Sequence, residues 1–348
     1  MRTRARPPGS VTLLPDPCSG APRYGGPMPD AAPAPSDAPP DPSSIPQLPG
    51  MRRVAEPVLL GRGWDNDMWH VGTLDDGTRV VLRRPYRELG RWALQQEIAA
   101  LRTMVPCAEF ATPQLLAVLG EDEPAGPASL MTWLEGEVVA DVLQRRDAGE
   151  ASRPARLLAG ALAQLHRPAP AEHPRSPYRG VPLASRPGRT ESDLAALRER
   201  PQPEGLGAEQ LARVEEILRR GLDAAPWRGP DLLLHGDPHP ANLVMLRDGR
   251  LGMIDWGDTS AGDPASDLAQ LFLLDPGGDG LAAYLDAVRG GRAGSAAVLA
   301  DVAALEARSR AWAVRFAVMI LAHALRGEAD AQAPLAQCAR NLLLAWSV

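Results

Sequence analysis

The stretch His235-Gly236-Asp237-Pro238-His239-Pro240-Ala241-Asn242, followed closely by Ile254-Asp255-Trp256, constrains this chain more than any other. Between the two pieces lie two apolar runs, Leu243–Leu246 and Leu251–Met253, with Asp248-Gly249 between them. An Asp-Gly pair in that setting is the strongest short-range sign of a two-residue hairpin turn. Placing Asp248 and Gly249 as the turn pairs Asn242 directly with Asp255. Opposed residues have Cβ atoms about 4.5–5.5 Å apart, so an amide oxygen and a carboxylate would project together from the open end. Two hard oxygen donors suit Mg²⁺, which takes one or two carboxylates and fills its remaining positions with water and phosphate. Asp237 falls at the mouth of the same hairpin and is free for a different task.

The spacing Asp-x-x-x-x-Asn, then a strand ending in Asp, resembles the catalytic arrangement of the kinase-like fold. With the HGD form, the IDW that follows, and Gly262-Asp263-Pro264-Ala265-Ser266-Asp267-Leu268-Ala269 beyond it, the chain is similar to the aminoglycoside phosphotransferase and choline kinase family. The resemblance runs from about Val58 to about Leu274. It implies an α+β, two-lobed protein-kinase-like fold, with a small antiparallel β-sheet lobe carrying one helix and a larger, mainly helical lobe. It also implies transfer of a γ-phosphate from ATP or GTP, with Mg²⁺, to a hydroxyl of a small molecule. Asp237 would orient the acceptor hydroxyl and take its proton, while Asn242 and Asp255 hold metal. His235 would hold the loop by packing and hydrogen bonding and Trp256 would pack, while Asp263 and Asp267 would fix the loop and a helix start.

Upstream, Pro57–Leu60, Met68–Leu74 and Thr78–Arg83 read as strands, the last two joined at Asp76-Gly77. The bend between the first two contains Gly61 and Gly63, where the resemblance places backbone N–H groups over nucleotide phosphates. Arg83 stands where protein kinases have a lysine that touches the phosphates, and guanidinium can serve there because it is always charged and forked. Arg84, next along the strand, should face the other way. Leu94, Ile98, Leu101 and Val105 form one helical stripe from about Arg87 to Val105, and the resemblance makes Glu97 on that helix the partner of Arg83. Gln114–Leu119 and Ala128–Trp133 read as two more strands. The resemblance then implies that Thr132, Trp133 and Leu134 lie in the hinge, where backbone groups would meet the nucleotide base.

The lobes are expected at 51–134 and 135–348. In the second, helices are expected at about 153–166, 191–200, 208–222, 267–274, 280–288, 297–325 and 334–346, with a Pro/Gly-rich loop at 168–189. His166 is expected at a helix C-terminus, where the macrodipole favours it. Residues 1–50 hold fourteen prolines and too few apolar side chains for a core, so a disordered tail is expected. Met28 or Met51 is an alternative start, and Arg2, Arg4 and Arg6 have no apolar region after them that would make a secretory signal.

Several classes are disfavoured. A net charge of −6 argues against a nucleic-acid surface, and no apolar run is long enough for a membrane span. Cys18, Cys107 and Cys338 are odd in number and scattered, which fits a reducing cytoplasm better than a disulfide framework. All 37 basic residues are arginine, so a Walker-type nucleotide loop, which requires lysine, is excluded. The missing lysine keeps a non-catalytic ATP-binding protein open, and the alternation of His235, Asp237 and His239 keeps a metal-dependent hydrolase open. The partner implied is a small hydroxylated acceptor (aminoglycoside, macrolide, choline, sugar or other alcohol), with no obligatory protein partner evident. Carboxylates that could greet a cationic acceptor, Asp286, Asp301, Glu306, Glu328 and Asp330, are interspersed with arginines.

Overall fold

The computed structural model describes residues 39–63, 65–104, 107–120, 127–145, 152–185, 187–199, 206–291, 294–325 and 333–346. Most of the proline-rich segment, including Arg2, Arg4, Arg6, Cys18 and Met28, lies outside the described residues, as do Val105, Glu328 and Asp330. The first three strands of the described residues are antiparallel: β1 (Met51–Arg62), β2 (Asn66–Leu74) and β3 (Arg79–Pro85). Then come α1 (Glu88–Thr103), a two-residue β4 (Phe110–Ala111), β5 (Leu115–Leu119) and β6 (Ala128–Thr132). The five long strands, the number expected from sequence, form one sheet in the order β1-β2-β3-β6-β5.

Alternation along β3 fixes what each side of that sheet meets. Val80 and Leu82 pack with Ile45, Met51, Trp69, Val71 and Leu130 on one face. Val81 belongs to the main core on the other face, with Ala100 and Leu101 of α1. Successive strand side chains point to opposite faces, so Arg83 shares the face of Val81 and is aimed at α1. Arg84 points the other way, over the Trp69 ring. Leu94, Ile98 and Leu101 of α1 are buried as the helical stripe requires. Ile45 lies within the segment read from sequence as a tail, yet it is only 2% exposed, just after a 3₁₀ turn at Pro42–Ser44.

The remainder is mainly helical: β7 (Gly136–Val138), α2 (Val139–Arg145), α3 (Ser152–Leu165), α4 (Pro187–Arg198), α5 (Ala208–Asp223), β8 (Leu232–Leu234), β9 (Leu243–Leu246), β10 (Leu251–Met253), β11 (Ser260–Gly262), α6 (Ala265–Leu274), α7 (Asp279–Arg289), α8 (Ser295–Leu299), α9 (Val302–Leu325) and α10 (Ala333–Ala345). α9 is buried nearly all round, with Trp312 and Phe316 inside, and α4, α5, α6 and α10 pack on it. A helix apolar on every side belongs in the middle of a helical layer. The expected helix at 297–325 is two helices. The Asp301 side chain accepts the Ala304 N–H at 2.9 Å, so it caps a new helix rather than continuing the old one.

The register at the two Asp-Gly turns also corrects the sequence reading. In β9–β10, Leu243 pairs with Met253 and Met245 with Leu251. The loop therefore holds three residues, not two. Leu246 N–H donates to Arg250 O and Gly249 N–H to Leu246 O, with Gly249 at φ +84°. The Asp76-Gly77 turn repeats this, with Leu74 N–H on Thr78 O, Gly77 N–H on Leu74 O, and Gly77 at φ +87°. A type I turn closed by a left-handed glycine is the usual three-residue hairpin loop. Asn242 is thus matched with Ile254, whose N–H donates to Asn242 O at 3.0 Å.

Candidate active site

The His235-Gly236-Asp237 segment leaves β8 as a bend held from beneath by one carboxylate. Asp267, fully buried in α6, accepts the His235 N–H at 2.8 Å and the Gly236 N–H at 3.0 Å. His166 lies 3.4 Å from the same carboxylate and 2.9 Å from the Tyr284 hydroxyl. Asp267 thus fixes the loop through its backbone. His166 follows the last residue of α3, with its N–H on Leu162 O, so it stands at a helix C-terminus as read from sequence, and its ring joins a buried hydrogen-bonded chain. Gly236 has φ +90°, and a Cβ on it would fall 1.8 Å from Asp258 O. No other residue fits.

His235 is tied into the protein through both ring nitrogens. Its Nε2 meets Ile254 O at 3.1 Å, its Nδ1 accepts the Asp237 N–H at 3.3 Å, and its ring lies 4.3 Å from that of Trp256. Burial pushes its pKa down, so the ring is neutral. His239 accepts the Ala241 N–H through Nδ1. Both nitrogens of His235 are therefore spent within the protein, and among the described residues no three His, Cys, Asp or Glu side chains converge as metal ligands. The hydrolase reading has no site.

Asn242 closes a 3₁₀ turn, Pro240–Asn242, and its Nδ2 donates to Asp237 O at 3.0 Å. That bond ties the amide to the Asp237 segment and leaves Oδ1 as the free acceptor. The corrected register does not oppose Asp255 to Asn242. Asp255 instead adopts φ +62°, the one left-handed non-glycine among the described residues. Such a conformation is strained and concentrates at functional positions. Arg83 donates to Asp255 Oδ1 at 2.8 Å. The carboxylate is 45% exposed. Its crowded surroundings disfavour charge, but Arg83 more than offsets them and holds the acid below the usual carboxylate range. One amide oxygen and one free carboxylate oxygen are the donor chemistry that fits Mg²⁺.

The same guanidinium donates to Glu97 at 2.9 Å, as expected from sequence. Burial alone would strip charge from Arg83, yet Asp255 and then Glu97 keep it firmly protonated. Glu97 is fully buried, and its pKa is raised by desolvation in spite of Arg83. It also accepts the Trp256 N–H at 3.2 Å, which fastens α1 to the turn after β10. Trp256 is completely buried, with Nε1 on Met253 O. Gly61 is the last residue but one of β1 and pairs with Met68. Gly63 donates to Asn66 O at 2.9 Å, so that N–H, expected over the phosphates, is spent within the bend, while the Gly63 carbonyl accepts the Tyr86 hydroxyl. In the hinge, the N–H groups of Thr132 and Trp133 donate to Gln114 O and Arg79 O. Arg79 also pairs with Glu135 through both ends of its fork. Among the hinge residues, Leu134 lies past the two whose N–H groups are committed to the sheet.

Sequence reasoning missed Arg179. It comes from the Pro/Gly-rich loop before α4, and its Nη2 lies 3.3 Å from Asp237 Oδ2 and 2.9 Å from Asp258 Oδ2. Nothing in local sequence marks it out from the other arginines. Asp258 is buried enough for its pKa to rise, with Arg179 pulling against that. Asp263 accepts the Ala265 N–H at 3.0 Å and pairs with Arg308 at 2.8 Å, a structural post as expected. Of the carboxylates considered for a cationic acceptor, Asp286 and Glu306 pair with neighbouring arginines and Asp301 caps a helix. A cavity of about 510 Å³ lies beside Glu135, Arg153 and Arg247, and neither Asp237, Asn242 nor Asp255 lines it.

Residues 57–333 match the model of the phosphotransferase enzyme family. The GDP complex of aminoglycoside 2'-phosphotransferase-IIIa superposes with a TM-score of 0.57 at 20% identity, covering 84% of this chain and 93% of that one. The apoenzyme of macrolide 2'-phosphotransferase from Brachybacterium faecium gives a TM-score of 0.50 at 23% identity, over 82% and 91%. These likenesses show a shared kinase-like fold. A stretch of 46 residues is 41% identical to the uncharacterized protein YcbJ of Bacillus subtilis, covering 13% of this chain and 15% of that protein. The match spans well under a fifth of that relative's length.

Proposed function

The chain belongs to the phosphotransferase enzyme family, and from that premise we propose that it transfers the γ-phosphoryl group of ATP or GTP to a hydroxyl of a small acceptor. The observation that carries this reading is the bridge Glu97–Arg83–Asp255, with Asn242 tied to Asp237 beside it. Phosphoryl transfer needs positioning and charge neutralisation more than covalent chemistry from the protein. Asp237 orients the acceptor hydroxyl in line with the γ-phosphorus and takes its proton. Because this chemistry rests mainly on positioning, orienting the hydroxyl matters as much as accepting its proton. Asn242 Oδ1 and the free oxygen of Asp255 would hold Mg²⁺, which when bound would neutralise charge on the phosphates. Arg83 keeps Asp255 ionised and faces the phosphates from the sheet, while Gly61 and Gly63 cover them and Leu134 meets the base.

The acceptor is a small hydroxylated molecule. The related structures are named for aminoglycosides and for macrolides, so both belong in the test, with choline and simple sugars. The experiment is acceptor-dependent release of ADP or GDP by the full chain, with Asp237→Asn as control. Turnover with one acceptor class, lost in the control by about 10²–10⁴-fold, is the expected result. Absence of turnover with every acceptor, together with no shift in melting temperature on adding Mg·ATP or Mg·GTP, overturns the reading. A melting shift without turnover would instead make the chain a nucleotide-binding protein.

A further inference from the structure

The loop that carries Arg179 is fastened on both sides of that residue. Ser260 donates through Oγ to Arg179 O at 3.1 Å, Ser266 Oγ accepts the Gly180 N–H at 3.2 Å, and Asp263 N–H donates to Gly180 O at 2.9 Å. Gly180 has φ +69°, and a Cβ there would fall 2.7 Å from Leu234 Cδ1. The backbone is therefore seated against β8 and β11, the two strands that flank the HGD bend. From this anchorage the side chain runs inward until only 12% of it is exposed. Its guanidinium lies 5.1 Å from the centre of the Phe316 ring on α9, a cation–π arrangement that fixes it from the helical side.

The way this arginine uses its donors is informative. One nitrogen, Nη2, reaches both Asp237 Oδ2 and Asp258 Oδ2, while Nε is buried with no hydrogen-bond partner among the described residues. A buried donor left unpaired carries its full desolvation penalty. An arginine kept only for packing would not be expected to carry that cost. What the arrangement achieves is to occupy one specific oxygen of Asp237. That carboxylate is 22% exposed, and the other basic group near the same oxygen, His239 Nε2, stands farther off at 3.7 Å against 3.3 Å for Arg179.

We propose that Arg179 is a positioning residue for the phosphotransferase reaction: by holding Asp237 Oδ2 against Asp258, it presents Oδ1 in one fixed direction to the acceptor hydroxyl. The inference rests on the function proposed above. It goes further in assigning a role to a residue outside the HGD, IDW and GDP segments. Arg179 acts through Asp237 and touches neither nucleotide nor acceptor.

The test is steady-state kinetics of Arg179→Gln, Arg179→Lys and Arg179→Gln combined with Asp237→Asn, with whichever acceptor turns over in the wild type. Misplacing a reacting group by about 1 Å costs on the order of 10²-fold. Arg179→Gln should therefore lower kcat by about that factor, with KM for the nucleotide unchanged. Arg179→Lys, which keeps a cation between the carboxylates, should recover much of the loss. In the Asp237→Asn background, removing Arg179 should lower kcat no further, because its effect runs through that carboxylate. A loss of the same size in both backgrounds overturns the proposal. So does full recovery of kcat in Arg179→Gln/Asp258→Asn, which would make Arg179 a counter-charge for Asp258 alone. Melting temperatures separate unfolding from mispositioning, and the lysine variant keeps the test valid should the glutamine variant not fold. Failure of the wild type to turn over any acceptor would sink both readings. Equal kcat in wild type and Arg179→Gln would sink only this one.

Discussion

Arg83 and Asp255 stand 172 positions apart in the chain and meet at 2.8 Å. The same guanidinium holds Glu97 at 2.9 Å, so one side chain fastens β3, α1 and the end of β10 to one another. Breaking a buried pair by removing one partner costs about 3–5 kcal/mol, because the other charge is left uncompensated, whereas replacing both can be neutral. Arg83→Met should therefore lower the melting temperature sharply, and Arg83→Met/Glu97→Leu should restore most of it. A double variant no more stable than the single one would mean that Glu97 is not the charge being compensated.

That bridge also shows what could be read in the residues alone. Arg83 and Glu97 lie on elements with strong local patterns, a strand alternating Val80–Val81–Leu82–Arg83 and a helix striped by Leu94, Ile98 and Leu101. Period and face set each on its own element, and the resemblance to the kinase-like fold, not the pattern, made them partners. The turn at Asp248-Gly249 was legible as a turn, but a two-residue and a three-residue loop share the same Asp-Gly signal. The difference of one residue moved Asn242 opposite Ile254 and left Asp255 to reach the site through a left-handed backbone. Arg179 was hidden for another reason. Its position depends on hydrogen bonds from Gly180 to Asp263 and Ser266, contacts between segments far apart in sequence that no local pattern encodes.

Asp267 accepts two backbone N–H groups of the HGD bend, and Asp267→Ala would leave both buried and unpaired. At about 1–3 kcal/mol for each lost partner, the melting temperature should fall strongly and activity with it. Tyr284→Phe removes only the outermost bond of the chain, Tyr284 to His166, and should cost about 1 kcal/mol. Comparable losses in the two variants would show that the bend is held by something other than the Asp267 carboxylate.

His173 supplies a pH dependence with a definite sign. It is buried, and its Nε2 lies 3.0 Å from the Thr259 hydroxyl. Burial, aided by Arg175, pushes its pKa down from 6.5 to about 4. Between those values the unfolded chain binds a proton that the folded one does not. Stability is thus fully present above about pH 6.5 and is lost as pH falls towards 4, by roughly 3 kcal/mol at most. His235, also depressed by burial, adds in the same direction. His173→Gln can keep the bond to Thr259 without titrating. Its melting temperature should drop less than that of the wild type between pH 7.5 and 5, and parallel curves would assign the acid sensitivity to other groups.

Gly236→Ala tests whether the HGD bend tolerates any change of backbone. Two independent obstacles stand in the way. A φ of +90° is one that an L side chain rarely adopts, and the added methyl would sit 1.8 Å from Asp258 O. The obstructing atom is main chain in the turn after β10, so no rotamer change relieves the contact. Either the bend or the 256–258 turn must shift, and each shift moves Asp237 relative to Asp255. Phosphotransferase turnover should fall by at least about 10²-fold, even in protein that remains folded by circular dichroism. Retention of wild-type kcat in Gly236→Ala would mean that Asp237 and Asp255 need not be held at a fixed separation, and the proposed mechanism would lose its geometric basis.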